Sequence, residues 1–429
     1  MRILYFDILS LLLWMNRAVY IGIFLSAIWF YDKFFGEFNL LYPVSPILPY
    51  LTVAGLVFFE IGVILGNRKR SKRILQEKKQ KKQFFNWFRS TTYLIPLFIW
   101  IVSVVISLIL FSIKGIPLFE DPMLRSTMGI DAGILKRFMW VFLPVSCLEL
   151  FSFTLLKKNK EWLNVIVIPV TFAIFLLLTF KGKIFFLALF LFLIYYKIRI
   201  FNKNSKINLF RIKKKYLVLS SLVLLFFVSV ALYAFITPSS YSFLTTMAVR
   251  TTNLIAQSPN YIVSGLSGVP DAGTVLKNDV SGVLRTFRLP HSIEPKPIDT
   301  ELTRIILNRD IQYDAGGLNP TVIGYGWMVG KWIGVCLLSI LYGFLNILFF
   351  RSFLYTTNPC KIASSIFAIY ILFCAVQIFS PIGTFMDTGF SLLGYILLHR
   401  LLEEFFGAKA FTQFNTKAAP KILSHRFRG

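Results

Sequence analysis

Charge is scarce in this 429-residue chain: 15% of residues are charged, against 56% hydrophobic and 17% aromatic. That shortage excludes a soluble globular domain of this length. Acidic residues are scarcer still, 20 against 46 Lys and Arg, which leaves a net charge of +26. There are four cysteines and three histidines. No Cys-x-x-Cys and no Cys/His ligand spacing occurs among them, so neither a disulfide framework nor a structural zinc is expected. Cys147, Cys336 and Cys374 fall in predicted spans and Cys360 in a short loop. There is no Walker motif, no Gly-rich dinucleotide fingerprint and no HExxH, so no nucleotide cofactor and no metalloprotease chemistry is expected. Internal repeats and low-complexity segments are absent too. The first apolar run lacks a small-residue cleavage site, and a removed leader is not expected.

What is abundant is apolar sequence in runs of about 20 residues, the length a helix needs to cross a bilayer. The pattern predicts an all-α polytopic membrane protein with about ten spans: residues 8–30, 43–66, 91–113, 137–156, 162–180, 184–197, 216–236, 322–350, 361–381 and 386–400. It divides as 1–236 (spans one to seven with basic loops), 237–321 (a large outer loop, partly helical), 322–400 (spans eight to ten) and 401–429 (a basic tail). With these spans, thirty of the Lys and Arg residues fall on one side and fifteen on the other, with Arg17 inside a span. The basic side is therefore expected to be cytoplasmic, with both termini inside. The charge then reflects topology and attraction to anionic lipid, and no nucleic-acid partner is expected. Two readings remain for the first span. Either residues 2–15 lie in the membrane plane, or one long helix carries a buried Arg17. Glu60 and Glu149 fall toward cytoplasmic ends and read as structural or snorkelled; His399 and His425 fall at the inner face.

The outer side gathers Arg125, Lys181, Lys183, Arg250, Arg285, Arg288, Arg304 and Arg309. A guanidinium is a rigid fork that grips phosphate oxygens in pairs. A cluster of them near the outer leaflet suits a lipid-linked phosphate or diphosphate. The competing readings are bland. Lys181 and Lys183 can snorkel to headgroups, and the cations from Arg250 to Arg309 can pair with seven acids of the same loop. His291 is the one histidine outside and titrates near neutrality, which suits a general base; Glu301, Asp310, Asp314, Glu120 and Asp121 are rival bases. Within the loop, "PIDTELTRIILNRDIQY" reads as a capped helix with Leu302, Ile305 and Ile306 on its apolar face. Residues 241–256 read as another short helix, and "SGLSGVPDAG" as turns.

Four stretches together resemble the O-antigen and oligosaccharide repeat-unit polymerases, commonly called Wzy. "GIPLFEDPMLRS" is similar to that family's Gly-x-Pro stretch followed by an arginine. "LLLTFKGKIFFLAL" resembles its basic tip between two helices, with lysine where arginine is common. "MAVRTTN" places Arg250 after the seventh span, and "NPTVIGYGWMVGKWIGVCLLSILYGF" resembles its Asn/Thr segment before a glycine-rich helix. The resemblance implies a metal-independent membrane glycosyltransferase with a GT-C-like polymerase/ligase architecture and no cofactor. It would join undecaprenyl-diphosphate-linked oligosaccharides at the outer face of the bacterial inner membrane, alongside membrane lipid and a chain-length regulator protein. In that scheme His291, Arg250 and Glu301 are catalytic. Arg125, Lys181, Lys183, Arg285, Arg288 and Arg304 bind substrate. An O-antigen ligase-type enzyme and a lipid-linked oligosaccharide flippase remain as alternatives.

Overall fold

The computed structural model describes residues 8–28, 44–68, 93–119, 134–157, 162–178, 181–198, 253–286, 302, 305, 320–377 and 388–405. Among these residues the fold is entirely helical, with no strand. The helices are α1 (Leu11–Ile28), α2 (Ile47–Arg68), α3 (Leu94–Lys114), α4 (Leu135–Lys157), α5 (Leu163–Leu177), α6 (Lys181–Tyr196), α7 (Asn253–Val263), α8 (Ala272–Thr286), α9 (Thr321–Tyr355), α10 (Pro359–Gln377) and α11 (388–405). Five of them, α1 to α4 and α9, are long and apolar enough to cross a bilayer; α5, α6 and most of α10 form shorter apolar helices. Nine of the ten expected spans coincide with a helix, and 216–236 lies outside the described residues.

The outward faces show why this bundle needs lipid. On α2, Tyr50, Val53, Val57, Ile61 and Ile64 are all exposed at helical spacing. On α11, Phe390, Leu393, Leu397 and Leu401 repeat the pattern. Apolar stripes of this size on an outer surface belong against hydrocarbon. The opposite edge of α2 is lined with glycine. A Cβ on Gly62 would lie 2.1 Å from the Ile340 carbonyl oxygen, and one on Gly343 2.0 Å from that of Phe59. So α2 and α9 meet backbone to backbone, as small residues allow in membranes. At the centre stands α4, where every residue from Leu143 to Leu155 is buried. Pro144 has no N–H for the Trp140 carbonyl, and the turn Phe138–Phe142 just before it is a π turn.

Of the two readings of the first span, the buried arginine is what the described residues carry, while residues 2–7 lie outside them. Arg17 lies within α1, is buried, and forms a bidentate pair with Glu60 of α2, one branch at 2.9 Å. At the basic-loop end, two cations close helix termini. Lys197 donates to the carbonyl oxygens of Phe353 and, at 2.8 Å, Thr356 at the end of α9. Arg351 donates to the Asn67 carbonyl oxygen, 3.0 Å, at the end of α2. Both satisfy carbonyls that a helix leaves unpaired and lie at the negative end of its dipole.

The span expected at 322–350 is present, and it carries a break that the sequence did not announce. Helical geometry breaks at Gly330 (φ −156°, ψ 24°) and Lys331 (φ 51°, ψ −136°). A Cβ on Gly334 would lie 2.1 Å from the Gly326 carbonyl oxygen. Residues eight apart in a straight helix are about 12 Å apart, so the two halves fold against each other. The first half, 321–329, re-enters the bundle: Ile323 lies close to where a Gly55 Cβ would be, beside Tyr20. The second half, 332–355, crosses. Glycines 326 and 334 permit the close crossing, and neither the apolar run nor its periodicity carries that information.

The outer-loop expectations divide. The turns between α7 and α8 are present, with positive φ at Gly265 and Gly268. Leu302 is helical and buried, and Ile305 packs beside it with Tyr261, Ile262, Val275, Tyr325 and Met328. Residues 241–252 lie outside the described residues, and the helix found is α7. The helix α8 was not anticipated. Its signal is Asp271, whose Oδ1 accepts from the Thr274 N–H at 2.7 Å and caps it. Cys360, expected in a loop, is buried in the first turn of α10.

Candidate functional site

Two of the motif stretches meet at the end of the bundle away from the basic loops. Gly115 closes α3 with a left-handed φ of 85°, its N–H donating to the Phe111 carbonyl oxygen at 3.0 Å. A side chain at this φ would be strained, which accounts for the glycine in "GIPLF". Two residues after Ile116, the Leu118 N–H donates to the Leu177 carbonyl oxygen of α5 at 3.0 Å. Leu177 stands four residues before Lys181. The Gly-x-Pro stretch is thus fastened beside the basic tip, although Leu118 and Leu177 are 59 positions apart in sequence.

The π turn of α4 aims Trp140 at the same corner. The Lys183 ammonium lies 4.2 Å from the centre of its indole and 5.9 Å from the Phe175 ring. Lys136 approaches Trp140 as well, at 5.5 Å. An ammonium over an indole face is held by the ring quadrupole, with about 0.5–2 kcal/mol depending on how dry the site is. Lys183 is half-buried and lines a small recess with Trp140, Phe175, Phe186 and Tyr370. It is turned into the bundle against aromatic rings, a different disposition from snorkelling. Gly182 between the two lysines has nothing within 4 Å of a Cβ position, so no close packing demands glycine there.

The other candidate residues are distributed as follows. Lys181 is the first residue of α6 and Arg285 lies in the last turn of α8; their side chains lie outside the described residues, as do Arg125, Arg250, His291, Arg288, Glu301 and Arg304 altogether. Arg250 falls three residues before α7 and Glu301 next to buried Leu302. Both α7 and α8 are docked on the bundle. The Ser45 N–H donates to Asn260 Oδ1 at 2.8 Å, and the Tyr325 hydroxyl donates to Asp279, which is buried. Sequence reasoning passed over Lys136, Trp140 and Lys331, whose ammonium lies 5.0 Å from the Trp327 ring at the break in α9. Only the lysine–aromatic spacing Lys136–Trp140, one helical turn, hinted at the first pair.

A family model described as "Putative O-antigen polymerase" matches residues 14–297. The chain belongs to this O-antigen polymerase family. The match runs from α1 past the end of α8, so it takes in the fastened Gly-x-Pro stretch, the basic tip and the helices α7 and α8. The role of an O-antigen polymerase is polymerase-type chemistry in polysaccharide biosynthesis, performed by a glycosyltransferase-like, multi-pass membrane protein. No curated protein and no solved structure matches the chain.

Proposed function

We propose that the protein polymerises oligosaccharide repeat units carried on undecaprenyl diphosphate, at the outer face of the inner membrane. The observation that carries this reading is the outer corner. The Leu118–Leu177 bond joins two stretches that bear the family resemblance, and Lys136 and Lys183 converge there on Trp140. Cations gathered in an aromatic recess at a membrane surface suit a lipid-linked anion.

In the proposed reaction a hydroxyl at the non-reducing end of an incoming unit attacks the anomeric carbon of the growing chain. The new C–O bond forms as the bond from that carbon to the diphosphate oxygen breaks, and the hydroxyl proton passes to a base. His291 is the proposed base and Glu301 the second choice; a poised base contributes about 10²–10⁴-fold. The departing diphosphate gathers negative charge. Arg250, Arg125 and Arg304, with Lys181 and Lys183, stabilise it, each fixed donor worth a few kcal/mol. Arg285 and Arg288 hold the second carrier or its sugar. Cationic side chains thus take the part that a metal plays in other transferases.

The test is deletion in the host, with surface and lipid-linked glycans sized on a gel, followed by Arg250→Ala. Single units retained on the carrier with long chains lost is the expected result of both. Long chains that persist on the carrier would instead indicate a ligase. Normal long chains in Arg250→Ala at unchanged protein level would remove Arg250 from the reaction.

A further inference from the structure

The opposite, basic-loop end of the bundle holds a second cluster that the polymerase reading does not use. Glu149 of α4, Cys360 of α10 and His399 of α11 are buried there, 1%, 9% and 2% exposed. Each offers one ligand atom, and the three atoms all lie within 4.8 Å of one another. Glu149 Oε1 and His399 Nε2 lie 2.7 Å apart. At that distance a protonated imidazole pairs with the carboxylate, and no group outside the cluster bonds either atom among the described residues. A bound cation would take the place of the proton this pair shares, with Cys360 Sγ within 4.8 Å of both atoms.

The groups behind them are placed as supporting groups around metal ligands are. The Tyr395 hydroxyl donates to Glu149 Oε2 at 2.5 Å, fixing the carboxylate by its rear oxygen. The other nitrogen of His399, Nδ1, is turned toward the Glu403 carboxylate at 3.8 Å. A carboxylate behind an imidazole orients the ring and raises its basicity toward a metal. Cys360, His399 and Glu403 also line a cavity of about 520 Å³ between α9, α10 and α11, which gives an ion a path and an open position for water.

We propose that Glu149, Cys360 and His399 bind a zinc-class divalent cation through Oε1, Sγ and Nε2. Thiolate, imidazole and carboxylate are the donor set zinc takes, with bonds of about 2.0–2.3 Å in tetrahedral geometry. Ligand atoms then stand about 3–4 Å apart; Glu149 Oε1 and His399 Nε2, 2.7 Å apart, would separate slightly on binding, and all three atoms already lie within 4.8 Å of one another. Charge argues the same way. A buried carboxylate needs a counter-charge, which a protonated His399 supplies to Glu149 when no cation is bound and which the cation would supply in its place. A divalent ion with one thiolate, one carboxylate and a neutral imidazole is neutral as a unit. The thiol proton leaves on binding, through the cavity to solvent. Glu403 stays outside the unit, with Arg400 and Lys361 on the same cavity wall. Because the ligands come from three helices, the ion would staple α4, α10 and α11 together. Residues 149, 360 and 399 show no ligand spacing, and for that reason the sequence offered no zinc motif.

The test is metal analysis of the full-length protein purified in detergent without chelator, then cobalt substitution after metal removal. The expected result is about one zinc per chain and, with cobalt, a thiolate-to-metal charge-transfer band in the near ultraviolet. Cys360→Ser should lose that band and release zinc readily, while Cys147→Ser keeps both. Tyr395→Phe and Glu403→Gln should weaken zinc affinity about 10–100-fold. Zinc should raise the melting temperature of the natural protein and leave that of Cys360→Ser unmoved. If His399→Gln fails to fold, the conservative serine and phenylalanine variants still decide the matter. Far less than one zinc per chain that added zinc does not restore would overturn the proposal. So would equal zinc affinity in Cys360→Ser; the cluster would then be a Tyr–Glu–His contact and nothing more.

Discussion

Arg17 is almost sealed within the bundle, and its charge is balanced by Glu60, which keeps 35% of its side-chain surface open. Removing one partner of a buried pair strands the other, at a cost of about 3–5 kcal/mol when both are dry. Glu60→Gln is therefore expected to lower stability by about 3 kcal/mol, the lower end because Glu60 is partly open. Arg17→Met combined with Glu60→Leu should recover most of that loss; thermal unfolding in detergent reads both. Lys183 poses a different question, because its ammonium already has an aromatic partner. Lys183→Met keeps the packing stem and removes the charge. If the charge meets diphosphate as proposed, long chains should fall sharply while the melting temperature changes little, and Lys183→Arg should retain polymerisation. An equal loss of stability and activity in both variants would make Lys183 a packing residue.

At the scale of elements, the close approach of α2 to α9 and the break within α9 carry the architecture. Gly343→Val places carbon against the Phe59 backbone and Gly334→Ala against that of Gly326. Backbone cannot move aside as a side-chain tip can, so both variants are expected to lose folded yield, measured by monodispersity in detergent. Gly182→Ala serves as the control: nothing lies near that Cβ, and yield should be unchanged. The helix α8 depends on its cap. The Thr274 side chain and N–H both bond Asp271 and hold its carboxyl below the ordinary value of 3.8. A lowered folded pKa contributes stability that is complete above the ordinary value and lost as pH falls through the folded one. Amide protection over 272–286, measured relative to the intrinsic exchange rate at each pH, should fall in that acid range, and in Asp271→Ala it should already be reduced at neutral pH. Protection factors independent of both pH and Asp271 would show that packing on Tyr325 and Met328 alone holds α8.

For the whole molecule, the proposed orientation in a membrane rests on the lipid-facing stripes and on the distribution of cations. Most Lys and Arg belong to one set of loops, and Lys197 and Arg351 at that end cap helix termini. The proposed topology puts the turn around Gly265 outside and the α10–α11 cavity inside. A cysteine introduced at Gly265, in a variant with the four native cysteines replaced, should react with an impermeant maleimide on intact cells. A C-terminal tag should be reached only after permeabilisation. Labelling of the tag on intact cells would invert the arrangement and move the proposed reaction away from the outer corner.

The sequence by itself determined that this is a helical membrane protein, where nine of its apolar runs lie, and the family to which it belongs. Those properties follow from local composition: a run of about 20 apolar residues has one stable form in hydrocarbon. It also singled out Lys183 and the Gly-x-Pro stretch, but not that they share a corner through the Leu118–Leu177 bond. Only the tertiary structure decided that Arg17 is a buried partner of Glu60, that α9 folds on itself at Gly330–Lys331, and that Glu149, Cys360 and His399 converge. These are contacts between helices distant in the chain, or a close crossing permitted by two glycines, and no local periodicity encodes them. The spans were legible because a membrane constrains each segment separately; the sites were not, because a site is made by several segments at once.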